Sequence, residues 1–161
     1  MRDWLTPREP LELCLEMVNR MNFKLEEFNR TSNHHIGIIN QWWEKVEDHN
    51  FSKDSPFSQI LPTDHGFMVF HNEDPICSIF LYPIYGSQIA IIGFPISNTL
   101  ADKEVRREAL SLLVAGVEAK AKALQYKFLF SYAGNMVAKQ FFGRFGFKSG
   151  NENITNFVKK L

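Results

Sequence analysis

Few residues in this 161-residue chain could carry acid–base, metal or nucleophilic chemistry, and their spacing narrows the options further. His34 and His35 are adjacent. Neighbouring side chains on a helix diverge, so the two cannot close on one metal ion. Asp48-His49 has no further ligand at a suitable distance along the chain. His65, His71 and Glu73 cluster in sequence, but Glu73-Asp74-Pro75 reads first as a turn. There is no H-E-x-x-H, no G-x-S-x-G, no phosphate-cradling Walker loop and no dinucleotide fingerprint. The spacing therefore points to no metal site. Cys14 and Cys77 lie too far apart in the chain for a disulfide framework, so a reducing cytoplasm is the expected location. The 15 phenylalanines build a bulky core, line an apolar ligand slot, or do both.

Charge excludes several partner classes. Lys plus Arg number 18 and Asp plus Glu number 18, for a formal net charge of zero. Nucleic-acid binding wants a basic excess, and a membrane-surface patch wants clustered lysines and arginines. The sequence predicts neither partner. No apolar run reaches the ~20 residues of a membrane span, and the N-terminal segment is charged throughout, without a signal-peptide core.

Periodicity then places the elements. Leu11, Leu15 and Val18 predict a helix over Leu11–Met21, with Pro10 at its start. Phe23–Phe28 reads as a short strand and Asn29–Asn33 as a turn. A second helix is predicted from about His35 to Glu47, capped by Ser32 or Asn33, because Ile38, Ile39, Trp42, Trp43 and Val46 recur at three- and four-residue steps. Phe51–Asp64 is expected to be a loop. Gly66–His71 and Ile76–Tyr82 read as a hairpin across Asn72–Pro75, and Gln88–Ile92 as a third apolar strand ending at Gly93-Phe94-Pro95. The nearly unbroken apolar character of Ile76–Ile96 predicts strands buried on both faces. Thr99–Asp102 matches T-x-x-D and opens a long helix to about Leu124. Tyr126–Ser131 reads as a buried strand, Met136–Phe145 as a helix stopped by Gly146, and Phe147-Lys148 with Ile154–Val158 as closing strands. A meander followed by β-α-β predicts one α/β domain over residues 1–161, with a mixed sheet and helices on both faces. Residues 1–21 would form an N-terminal helical extension of the core, residues 22–161.

From Gly66 to Val158 this order resembles the GNAT superfamily of N-acetyltransferases. The match is strongest at Asn135, Ala138, Gly146 and Phe147. These four fit the family pattern N-x-x-A-x-x-x-Y-x-x-x-G-F, in which Phe142 replaces the tyrosine. Phe23–Glu47 is similar to the family's first strand and helix, and the helix at Leu11–Met21 is an addition.

The resemblance implies a GNAT-like acyl-CoA N-acyltransferase fold that binds acetyl-CoA, or another acyl-CoA, between two central parallel strands. By position these are Gln88–Ile96 and Tyr126–Tyr132. Pantetheine would pair with the backbone around Phe94, Pro95, Ile96 and Ser97, and the pyrophosphate would sit at the start of the long helix, where free N–H groups and the helix dipole attract anions. Asn135 and Phe142 would complete the cofactor site. The family motif at that helix is Q/R-x-x-G-x-G/A. Here Ala109 matches its last position, while Arg107 holds the glycine position and Glu104 the Q/R position. Two readings follow. In one, Arg106, Arg107 and Lys103 replace close backbone approach with side-chain charge on the diphosphate. In the other, the cofactor site has decayed, with Glu104 and Glu108 repelling phosphate.

Acyl transfer to an amine needs a group to take the amine proton and one to protonate the leaving thiolate. The family's usual acid is the tyrosine that Phe142 replaces, and Tyr132 is the nearest substitute in sequence. His65, His71 and Glu73 are the candidate bases. Trp42-Trp43 serves as a core anchor or as a wall of the acceptor cleft. The expected activity is acetyl or acyl transfer from coenzyme A to a small-molecule or peptide amine; the alternative is a non-catalytic GNAT-fold binding or regulatory domain. The acceptor loops would be Phe51–Asp64 and Pro83–Ser87. The N-terminal helix could pair with a copy of itself in a homodimer.

Overall fold

The computed structural model describes residues 22–45, 64–131 and 143–148. The helix expected over Leu11–Met21, all but the last residue of the Phe51–Asp64 loop, and the strand expected over Ile154–Val158 lie outside them. The chain divides after Ser131 into two units, Met1–Ser131 and Tyr132–Leu161.

The first unit holds a five-stranded sheet in sequence order: β1 (Phe23–Glu27), β2 (Gly66–His71), β3 (Asp74–Pro83), β4 (Ile89–Ser97) and β5 (Phe128–Ser131). The first four strands pair antiparallel, and β4 pairs parallel with β5. Helix α1 (Asn33–Trp43) follows β1, and helix α2 (Lys103–Ala123) makes the crossover from β4 to β5. A meander closed by β-α-β gives the expected mixed sheet.

Helix α1 begins where Ser32, extended at φ −80° and ψ 113°, turns its hydroxyl back to accept the His35 N–H. Ile38, Ile39 and Trp42 then fall on one buried stripe. They pack with Phe28, Met68, Phe70, Phe80 and Ile96 on one face of the sheet. Helix α2 lies against β3 and β2 through Ala109, Leu112, Leu113 and Val117, all buried. Ile76 to Leu81 are accordingly buried without interruption, because β3 is covered on both faces.

The start of α2 differs from the sequence expectation. Asp102, not Thr99, is the cap. Asn98 forms the preceding turn: its side-chain oxygen accepts from Leu100 N–H at 3.1 Å and its carbonyl from Ala101 N–H at 3.2 Å. An asparagine that satisfies its own downstream backbone draws Thr99 into a turn and delays the helix by three residues.

The β2–β3 turn is also tighter than expected. His71 pairs with Asp74, so Asn72 and Glu73 are the only linking residues, at φ +50° and +70°. Two positive φ values match the right-handed twist of the flanking strands. Strand β3 therefore starts two residues before Ile76. The end of α2 uses Gln125 at φ +66°: its N–H reaches the Lys122 carbonyl at 2.9 Å, and Tyr126 N–H reaches Ala121 at 2.9 Å. In the second unit, Gly146 has φ +79° and donates its N–H to the Gly143 carbonyl at 3.2 Å. That conformation requires glycine and ends a helical turn. Phe147 and Lys148 are not in a strand.

Candidate functional site

Strand β4 is apolar enough to sit in the middle of the sheet, yet it is not regular. Its pairing with β5 covers Ile89↔Phe128 to Ile92↔Ser131. Its pairing with β3 continues to Cys77↔Ser97. Among the described residues, the β5-facing edge of Gly93–Ser97 therefore has no strand beside it. Apolar patterning ends the strand at Gly93-Phe94-Pro95, and the family resemblance extends it to Ile96; the observed strand runs Ile89–Ser97 because β3 pairs along it.

A bulge marks the same place. Between the pairs Phe80↔Gly93 and Ser78↔Ile96, β3 advances two residues and β4 three. Phe94 takes up the extra residue at φ +52°. For a bulky side chain that conformation is costly, on the order of 1–3 kcal/mol. Pro95 follows with no N–H to give to a ladder. A bulge turns backbone groups out of the sheet, so β4 has backbone groups at Phe94 that the regular ladder does not use. Ile96 itself is buried in the core under α1, so an added strand would meet its backbone, not its side chain.

The start of α2 has its own electrostatics. The Asp102 carboxylate accepts from Glu104 N–H at 2.8 Å and Val105 N–H at 3.2 Å. Those bonds, the Val105 one first, hold its pKa below the ordinary aspartate value. Two of the amides that would face an anion are thus already bonded to a carboxylate. The two arginines are not equivalent. Arg107 pairs with Glu104 at 2.5 Å and Glu108 at 3.4 Å, while the Arg106 Nε is buried with no hydrogen-bond partner among the described residues. Ala109 is fully buried against the sheet.

On the α1 side of β4, Phe94 stands edge-on to two rings: Tyr82, with centroids 5.9 Å apart, and Trp43, 6.3 Å apart. Trp42 is the buried anchor, while Trp43 is only partly buried beside Phe94. Tyr82 ends in a buried hydroxyl with no hydrogen-bond partner among the described residues, and burial raises its pKa. Sequence reading missed Tyr82. Its signal is only the alternation Ser78, Phe80, Tyr82, which is meaningful once the register pairs Tyr82 with Ile91 and its ring edge packs on Gly93.

The three candidate bases are not brought together. His65 precedes β2, and His71 ends it. At about 3.4 Å per residue they lie roughly 20 Å apart. The His71 ring lies against Phe23, with centroids 4.7 Å apart, and Glu73 is exposed in the hairpin turn. Tyr132, Asn135 and Phe142 lie outside the described residues. Among the described residues there is no cluster of three metal-ligating side chains, and no helix long and apolar enough to cross a membrane.

Several solved structures share this architecture. An aminoglycoside acetyltransferase from an uncultured soil metagenomic sample, in complex with sisomicin, superimposes at TM-score 0.59 with 15% identity, over 89% of this chain and 99% of that one. An aminoglycoside N-acetyltransferase in complex with CoA gives 0.60 at 14% identity, over 86% and 95%. A protein described as a transcriptional regulator, from Bacillus halodurans, gives 0.61 at 14% identity, over 84% and 99%. No family model and no curated protein matches the sequence. The fold is that of the GNAT acetyltransferases.

Proposed function

We propose that this protein is an N-acyltransferase that moves an acetyl or other short acyl group from coenzyme A to an amine. One observation carries this reading: β4, the central apolar strand, is bulged at Phe94 and followed there by Pro95, which has no N–H. A pantetheine arm, with two amide groups, can add there as a short strand and bring its thioester to the bulge. That a protein of this fold is known in complex with CoA supports the choice of cofactor.

The transfer follows from that placement. The amine nitrogen attacks the thioester carbon, and the carbonyl π pair moves onto oxygen. Backbone N–H groups at the bulge stabilise the resulting oxyanion. The C–S bond then breaks, the sulfur leaves with its electron pair, and the amine proton is lost to base. Arg106, whose Nε at the head of α2 is buried with no hydrogen-bond partner among the described residues, is the side chain that would meet the diphosphate. The acceptor is a small-molecule or peptide amine.

The Asp102 cap favours a second reading, a GNAT-fold binding domain without turnover, because a carboxylate holds the amides at the head of α2. Calorimetry with acetyl-CoA separates the two. Saturable binding that Arg106→Ala abolishes and Arg107→Ala retains supports the transferase, since Arg107 is already neutralised by Glu104 and Glu108. No binding at millimolar cofactor overturns the transferase reading.

A further inference from the structure

We infer that the Tyr82 hydroxyl is a hydrogen-bond donor to the carbonyl oxygen of the acyl group, a second oxyanion contact beside the β4 backbone. This rests on the transferase reading above. The argument begins with Gly93. A Cβ on that residue would lie 3.5 Å from Tyr82 Cε2 and 3.9 Å from Cδ2. The Cδ2–Cε2 edge of the ring therefore lies against Gly93, with the hydroxyl oxygen farther off. Gly93 directly precedes Phe94, whose ring meets that of Tyr82 edge-on. The Tyr82 ring thus packs on β4 at the residue before the bulge.

That oxygen is buried and makes no hydrogen bond among the described residues. A buried hydroxyl normally finds a partner, and leaving one unpaired is unfavourable. A ligand carbonyl at the bulge would supply the missing acceptor. The phenol stays protonated in this apolar setting, so it donates to a carbonyl and does not take the amine proton. As the amine attacks, the carbonyl oxygen gains charge and the O–H bond to it strengthens. The oxyanion then collapses, the C–S bond breaks, and the Tyr82 proton stays on the phenol throughout.

The test compares acetyl-CoA with coenzyme A, which lacks the carbonyl, on the wild type and Tyr82→Phe. The variant is expected to lose the preference for acetyl-CoA by about three- to tenfold while keeping its affinity for coenzyme A. The carbonyl stretch of bound acetyl-CoA, read by isotope-edited infrared spectroscopy, is expected at lower frequency in the wild type than in the variant. The ligand-free variant should melt no lower than the wild type, because the lost hydroxyl had no partner. Equal preference and equal carbonyl frequency in the two proteins, or a lower melting temperature for the variant, would overturn the assignment. A wild type that binds neither coenzyme A nor acetyl-CoA would overturn the transferase reading itself, and this assignment with it.

Discussion

The Asp102 carboxylate caps α2 by accepting from the Glu104 amide at 2.8 Å, and so places a negative charge at the helix end where the proposed function puts the cofactor diphosphate. It is both a stabilising cap and an obstacle to anions. Asp102→Ala should lower the melting temperature at neutral pH. The Asp102 pKa is lowered in the fold, so its contribution is full above the unfolded value and fades as pH falls through the folded one. The gap between Asp102→Ala and wild type should therefore narrow in acid, as thermal melts over a pH series will show. Asp102→Asn keeps the acceptor oxygen but removes the charge. It should bind coenzyme A about two- to fivefold more tightly, measured by calorimetry.

His35 sets an acid limit on stability. Its Nδ1 accepts from Asn29 N–H at 3.0 Å, so that nitrogen is unprotonated, and Nε2 lies 3.5 Å from the Glu26 carboxylate. Burial lowers its pKa, with Glu26 opposing. Its neutral form is thus favoured by folding, a contribution present above the unfolded pKa and lost as pH falls toward the folded one. Denaturant midpoints should drop between about pH 7 and pH 5. Asn at 35 keeps an acceptor near the Nδ1 position, so the His35→Asn variant should show a flatter profile over that interval. An equally steep profile would remove His35 as the cause.

Two glycines should differ in their tolerance of a methyl group. At Gly116 on α2 the nearest atom to an added Cβ is Leu25 Cδ2 on β1, at 2.8 Å, the end of a flexible side chain. At Gly66 the ring of Phe80 lies at 2.5 and 2.7 Å, and Phe80 is fully buried. Gly116→Ala gains helix propensity against the clash and should cost about 1 kcal/mol. Gly66→Ala should cost about 3 kcal/mol, near the top of the overpacking range. Chemical denaturation of both, with Gly116→Ala repeated in a Leu25→Ala background, checks the assignment; the first cost should shrink there.

The end of α2 offers a gain. Gln125 holds φ +66°, a conformation glycine adopts freely. Gln125→Gly should stabilise the protein by about 0.5–1 kcal/mol, seen as a higher denaturation midpoint. A lower midpoint would mean that the Gln125 side chain contributes more than the backbone strain costs.

Much was legible in the sequence because it is local. The stripe of Ile38, Ile39 and Trp42 specified α1, the apolar run from Ile76 specified a strand covered on both faces, and the order of elements specified a mixed sheet and its likeness to the acetyltransferase fold. Each depends on the spacing of residues a few positions apart, which the backbone period converts directly into a face. What stayed hidden depends on which strand lies beside which, and in what register. The bulge at Phe94 and the packing of Tyr82 on Gly93 both follow from pairings between strands that periodicity cannot see. The sequence by itself determined that β4 would be a central apolar strand. Only the tertiary structure decided that it bulges at Phe94, because the extra residue appears only in its register against β3.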